Sequence, residues 1–149
     1  MLDAGCGTGV GGDLLHALGY RGIVGFDMSE PMMERAARLG AYAELVRGVL
    51  GEALPFPDGR FAAVMAAGVF TLGHAPAASL RELVRVTRPG GRLLFSVRDV
   101  VHDQQGFREE QAALEAEGEW RLLESLGPVR AFTVREPHVL VRLFACERL

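Results

Sequence analysis

The 149-residue sequence contains no lysine; its sixteen basic side chains other than histidine are all arginine. A P-loop is thereby excluded, because its Gly-Lys-Ser/Thr step supplies the lysine that reaches the phosphates. Only Cys6 and Cys146 carry thiols, too few for a disulfide framework, and they read as reduced thiols of a cytoplasmic protein. No apolar run reaches the roughly 20 residues needed to span a bilayer, and no signal-peptide pattern opens the sequence. A net charge of -3 with a pI near 5.8 gives no general attraction to nucleic acid or anionic membrane. The basic stripe with interleaved aromatics expected of a nucleic-acid binder is missing too. Four scattered histidines and two distant cysteines form no metal constellation, so no metal is expected. At this length one domain, residues 1–149, has room for a substantial core.

What is present is concentrated at the start. In Met1-Leu2-Asp3-Ala4-Gly5-Cys6-Gly7-Thr8-Gly9, two apolar residues lead into an acid, and glycines then alternate with small residues. Between a first strand and a first helix such a loop lets a ligand approach the main chain closely. Taken alone it also fits an ordinary glycine-rich turn. The spacing is not the G-x-G-x-x-G of dinucleotide binding, and an acid ahead of the glycines repels a pyrophosphate. It accepts instead a hydrogen bond from a cationic amino group, directly or through water. Met1-Leu2 leaves an unusually short first strand, which predicts either residues upstream of Met1 or a protein without an N-terminal cap.

Along the chain, Val10–Leu18 predicts a short helix with Gly19 as a left-handed cap. Gly22–Phe26 is a buried strand ending at Asp27, and Ser29 is placed to cap a helix that Gly40 stops. Further strands are expected at Ala43–Arg47, Phe61–Ala67 and Arg92–Val97, a helix at Pro76–Val86, and a turn at Thr87–Gly91. Gln104–Gly118 reads as a polar helix and Trp120–Leu126 as a second short one. Strands at Val129–Val134 and Val139–Cys146 then close a hairpin at Glu136-Pro137. The pattern predicts a three-layer α/β sheet, mostly parallel, with one reversed edge.

In such a sheet ligands bind at the carboxyl ends of the strands, where strand order reverses. Asp27 stands about twenty residues after the first loop, the distance of an acid that receives ribose hydroxyls; a solvated strand-end acid is the alternative. Met28 offers a polarizable surface for an adenine face, or is simple packing. His74, after strand four, is the first candidate for a general base, against a surface or capping role. His102, with Asp99 nearby, is the second. Trp120 reads as core before acceptor pocket, and the glutamates from Glu109 to Glu119 as a solvated helix face.

Leu2–Gly9, Gly25-Phe26-Asp27-Met28-Ser29, Leu54–Phe61 and Leu80–Gly91, in this order and spacing, resemble the class I S-adenosylmethionine-dependent methyltransferases. The resemblance covers essentially the whole chain. It implies a Rossmann-like seven-stranded sheet in the order 3-2-1-4-5-7-6 with strand seven antiparallel and strand one truncated. It also implies that Asp3 and the backbone of Gly5 and Gly7 approach the methionine part of the cofactor, with Ala4, Cys6 and Gly9 of the loop and Ala67 after strand four also in the cofactor site. Asp27 would hold the ribose, and Met28 would flank the adenine. Gly68–Pro76 and Phe107–Trp120 are similar to the methyltransferase-like protein of the Williams-Beuren deletion region and its relatives. Two departures stand out. Leu50 occupies the place of an adenine-binding Asp, which shifts that role to backbone around Gly51 and Glu52, and Ala62 replaces a usual Phe-Asp.

The expected activity is methyl transfer from S-adenosylmethionine to a small-molecule oxygen, nitrogen or carbon acceptor, leaving S-adenosylhomocysteine. A catalytically silent module, completed by an upstream segment, a second copy or a partner over the missing cap, is the alternative. Nicotinamide chemistry is disfavoured by the glycine spacing and by Asp3.

Overall fold

The computed structural model describes residues 1–131, 136 and 138–149. Its elements follow in the order β1 (Leu2–Ala4), α1 (Val10–Ala17), β2 (Ile23–Asp27), α2 (Glu30–Arg38), β3 (Tyr42–Arg47), β4 (Phe61–Phe70) and α3 (Ser79–Val86). Then come β5 (Thr87–Arg98), α4 (Asp99–Gln104), α5 (Phe107–Ala116), β6 (Trp120–Arg130) and β7 (Leu140–Arg148). The seven strands form one sheet in the order β3-β2-β1-β4-β5-β7-β6. All pairings are parallel except those of β7 with β5 and β6.

The chain moves outward from β1 in one direction through β2 and β3, then returns to β4 and moves the other way. Right-handed crossovers place α1 and α2 on one face and the later helices on the other. Strand order therefore reverses between β1 and β4, which opens the crevice at their carboxyl ends. β1 is three residues long, yet all three are buried and paired on both sides, so it is held by its neighbours.

Aromatic packing fixes the two halves. Phe56 meets Phe26 and Phe61 edge-on at centroid distances of 5.9 and 5.1 Å. Phe95 stacks between Trp120 and Phe144 at 5.7 and 5.1 Å. That stack explains the main departure from the sequence pattern. Trp120–Leu126 is the first part of strand β6, not a helix, because Trp120 is drawn onto Phe95 and the open edge of β7 gains a partner. Irregular register at Leu122/Glu124 and Leu126/Val129 accommodates apolar spacings that suggest a helix.

Other boundaries also move. The expected helix at Gln104–Gly118 is the shorter α5, which Gly106 in the left-handed region opens, and α4 is a further helix ahead of it. α3 starts at Ser79, with Pro76–Ala78 forming a turn ahead of it. β4 continues past Ala67 to Phe70. The turn at Thr87–Gly91 lies within β5 as an irregularity, where pairing jumps from Phe61↔Thr87 to Ala63↔Arg92. Ser29 is the N-cap residue of α2 but its side chain makes no capping bond. The expected strand Val129–Val134 and turn Glu136-Pro137 fall in part on 132–135 and 137, outside the described residues.

The segment between β3 and β4 is tied down by one arginine. Arg85 of α3 grips both oxygens of Glu82 at 2.7 and 2.8 Å, and it donates to the carbonyls of Phe56 and Leu54 and to Asp58. Glu82 in turn accepts from the Leu54 amide at 2.7 Å. The planar guanidinium alone presents this fork. Arg85→Lys is expected to destabilise the chain by about 1–3 kcal/mol, read as a lowered urea midpoint with unchanged slope. Retention of the wild-type midpoint would show that the network is dispensable.

Candidate cofactor site

The loop Gly5–Gly9 leaves β1 at the reversal point. Gly5 has φ 78°, and a Cβ there would fall 2.2 Å from the Cγ2 of Val69 at the end of β4. At Gly9, φ 90°, it would fall 2.9 Å from the backbone of Ala36 in α2. Both positions need glycine for conformation and for space. The amides of Gly5 and Cys6 donate to the carbonyl of Phe26 at 2.7 and 3.1 Å, which binds the loop to β2.

Asp27 closes the loop from the other side. Its Oδ2 accepts from the Gly7 amide and its Oδ1 from the Ser29 amide, both at 2.8 Å. Each oxygen keeps a further lone pair for a ligand hydroxyl. One carboxylate thus holds together the turns after β1 and β2.

Asp3 is only 3 % exposed. Its Oδ2 accepts the Tyr42 hydroxyl at 2.6 Å, and that hydroxyl accepts from the Gly12 amide at 3.1 Å. Burial pushes the Asp3 carboxyl upward, the Tyr42 bond opposes this, and the charge of Asp27 adds to the rise. Burial first, then the bond to Asp3, likewise hold the Tyr42 phenol protonated. The Cys6 thiol is pushed up to about 12, mainly by burial, so it remains neutral and is no nucleophile.

Two cavities adjoin along this edge. The larger, about 670 Å³, is walled by Asp27, Met28, Ser29, Val49, Leu50, Val69 and His74, among others. The smaller, about 350 Å³, is walled by Asp3, Cys6, Thr8, Gly11, Met65 and Ala67, and it shares Gly5, Gly7 and Met32 with the first. Among the described residues no arginine lines either one.

Asp3, Gly5, Cys6, Gly7, Asp27, Met28, Ala67 and His74 are therefore brought to one crevice. Ala4 is wholly buried within β1, and Gly9 spaces α2 without lining either of these two cavities. Val49 and Leu50, not Gly51 and Glu52, form the wall after β3; Gly51 packs against Pro76 and Glu52 faces solvent. His102 lies outside both cavities, 7 % exposed, stacked on Phe144 at 5.4 Å and 3.1 Å from Asp103. Asp99 pairs with Arg142, not with His102. Trp120 is core. His74 is exposed and lines the larger cavity; its Nδ1 sits 2.9 Å from the Leu72 carbonyl. Among the described residues no cluster could hold a metal ion. No helix there is long and apolar enough to cross a membrane. Tyr42 escapes local reading, because its partner lies 39 residues away.

Asp3 titrates above its unfolded value of about 3.9, so its protonated form favours the fold. That contribution is complete below the unfolded value and is lost as pH rises through the folded one. Asp3→Asn is accordingly expected to match or exceed the wild type in stability at pH 7, with the gap closing toward pH 4. Tyr42→Phe removes a donor to a buried carboxylate and is expected to cost about 1–3 kcal/mol at pH 7. Urea unfolding across this range tests both, and an Asp3→Asn chain much weaker than wild type at neutral pH would contradict the assignment.

Known proteins bear on the same crevice. The family model described as "Methyltransferase domain" matches residues 2–95. The human methyltransferase-like protein 27 is 39 % identical over 99 residues, which are 66 % of this chain and 40 % of that protein. A malonyl-[acyl-carrier protein] O-methyltransferase of Erwinia pyrifoliae is 38 % identical over 96 residues, 64 % of this chain and 36 % of that one. The chain thus spans about two-fifths of the length of these relatives. A solved S-adenosylmethionine-dependent methyltransferase of Methanosarcina mazei superposes with a TM-score of 0.75 at 16 % identity, covering 99 % of this chain and 91 % of the other, and shares the fold. With the family match across β1 to β5 and the sheet order in agreement, this chain belongs to the class I S-adenosylmethionine-dependent methyltransferase family.

Proposed function

We propose that this chain binds S-adenosylmethionine in the double cavity and directs its methyl group to a small-molecule acceptor. The observation that carries the reading is electrostatic. Two carboxylates, Asp3 and Asp27, stand at the ends of neighbouring strands in a crevice whose walls, among the described residues, hold no arginine. Such a site favours a cationic ligand and repels the phosphates of a nucleotide or dinucleotide.

When bound, S-adenosylmethionine supplies a methyl group on a sulfonium, electrophilic without further activation. Asp27 receives the ribose hydroxyls with its spare lone pairs, while its amide bonds keep both oxygens fixed. Met28, Val49 and Leu50 flank the adenine with apolar surface, consistent with the loss of an acid at Leu50. Asp3, held by Tyr42, takes the ammonium of the methionine part and thereby recovers part of its desolvation cost. Residues around Ala67 and Val69 set the line of attack, and alignment with exclusion of water does most of the catalytic work. For an acceptor that must lose a proton, His74 Nε2 is the base within the crevice. His102 is too enclosed for that role.

A small-molecule acceptor is supported by relatives named malonyl-[acyl-carrier protein] O-methyltransferase and demethylmenaquinone methyltransferase. The two cysteines, both buried and unpaired, support a reducing compartment such as the cytoplasm.

Calorimetric titration of the 149-residue chain with S-adenosylmethionine, S-adenosylhomocysteine and NAD tests the reading. Binding of the first two but not of NAD is expected, with at least about tenfold weaker binding in Asp27→Asn, the loss of one charge-assisted pair. A folded chain that binds neither, or that prefers NAD, would overturn it.

A further inference from the structure

The strand order lays a nucleoside across the crevice in one sense. Asp3 belongs to β1, Asp27 ends β2, and β3 lies beyond β2 in the sheet. A ligand whose ammonium meets Asp3 and whose ribose meets Asp27 therefore carries its base to the end of β3. That part of the larger cavity is apolar, walled by Phe26, Met28, Val49 and Leu50. Among the described residues, the polar side chains that line the cavity are Asp27, Ser29 and His74. Asp27 already accepts two amides and turns its remaining capacity to the ribose. Ser29 adjoins Asp27 at the start of α2, and His74 comes from the β4–α3 connection, with Nδ1 at the Leu72 carbonyl.

Two glycines decide which side chains of the segment after β3 face the base. Gly48 passes the Phe26 ring where a Cβ would lie 2.5 Å from Cζ, and its amide donates to the Asp27 carbonyl at 3.1 Å. The segment is thereby pinned beside the end of β2. Gly51, with φ 113°, then turns the chain against Pro76, where a Cβ would lie 3.0 Å from Cδ. Val49 and Leu50 are left facing the cavity, and Leu50 also packs against the core. Glu52, the acid next along the chain, is exposed and outside the cavity wall, and its amide donates to the Val49 carbonyl at 3.3 Å. No carboxylate is presented to the base from this segment.

An amino group on the base could still be costly to hold here, if it were buried without a partner. The wall is open enough to avoid that cost. Met28 is 62 % exposed and Val49 39 %, so the polar edge of a base between them keeps its water. A group that stays hydrated neither gains nor loses much on binding. Apolar contact with the faces of a base is indifferent to what its edge carries, whereas a placed hydrogen-bond partner rejects the analogue that lacks the group.

We infer that this site holds the base of its cofactor by shape alone and leaves the exocyclic amino group of adenine unread, with Leu50 as the residue that sets this tolerance. The chain accordingly takes cofactors whose purine carries hydrogen in place of the amino group as well as it takes the adenine form. This specificity rests on the cofactor reading proposed above and narrows it: the ammonium and the ribose are recognised by charge and hydrogen bonds, the base by apolar contact.

The test is calorimetric titration of the 149-residue chain with S-adenosylhomocysteine and with its purine analogue, in which a hydrogen replaces the exocyclic amino group. The expected dissociation constants agree within about twofold, less than one net hydrogen bond supplies. Leu50→Asp places a carboxylate on a side chain branched at Cγ like leucine, and is expected to favour S-adenosylhomocysteine over the analogue by at least about tenfold. Leu50→Asn, a second variant without the added charge, is expected to shift the preference the same way. A tenfold or greater preference for S-adenosylhomocysteine in the wild type would overturn the inference while leaving the cofactor reading in place. Folded Leu50 variants that gain no preference would overturn the assignment to Leu50. A folded wild type that binds neither ligand would remove the cofactor reading, and this specificity with it.

Discussion

One carboxylate organises the carboxyl edge of this sheet. Asp27 accepts the amide of Gly7 on one side and of Ser29 on the other, and so fixes the turns that follow β1 and β2 with respect to each other. The loop from Gly5 to Gly9 has a backbone that only glycine adopts without strain, and it gains its shape from this clamp and from the Phe26 carbonyl. β1 is too short to hold the loop by itself; its three residues are positioned by β2 and β4.

Asp3 adds tension to that arrangement. A carboxylate so far buried, with Asp27 close enough to raise its proton affinity, disfavours the ligand-free state. The Tyr42 hydroxyl offsets part of the cost and serves the Gly12 amide at the same time. A cation entering the crevice offsets more. The site thereby trades stability of the empty protein for attraction to a positively charged ligand, which is common where function sets the chemistry.

Much of the fold can be read locally. Glycine and proline punctuation marks the strand ends, and the late hairpin requires a reversed strand, which β7 is. Trp120–Leu126 misleads because its apolar spacing suits a helix, whereas the deciding force, stacking on Phe95, comes from a residue distant in sequence. The carboxylates at Asp3 and Asp27 stand out by their place at strand ends. Tyr42 and Arg85 do not, since their partners are brought to them only by folding. The histidines show the same limit: His74 and His102 look equivalent as symbols, and burial alone separates an open ring from one packed on Phe144. The shift from Gly51 and Glu52 to Val49 and Leu50 arises in an irregular segment, where register is not set by any repeating pattern.

The claim that Asp3 is kept in a costly state for the sake of an ammonium group is tested most directly by comparing two ligands. S-adenosylhomocysteine carries the amino acid part, and 5′-methylthioadenosine lacks it while keeping the nucleoside and sulfur. Equilibrium affinities of both for the wild type and for Asp3→Asn form a cycle. The account predicts that the substitution weakens S-adenosylhomocysteine by about tenfold or more, as the loss of a charge-assisted hydrogen bond does, and leaves methylthioadenosine within about twofold. Equal losses for both ligands would contradict it and make Asp3 a structural acid only.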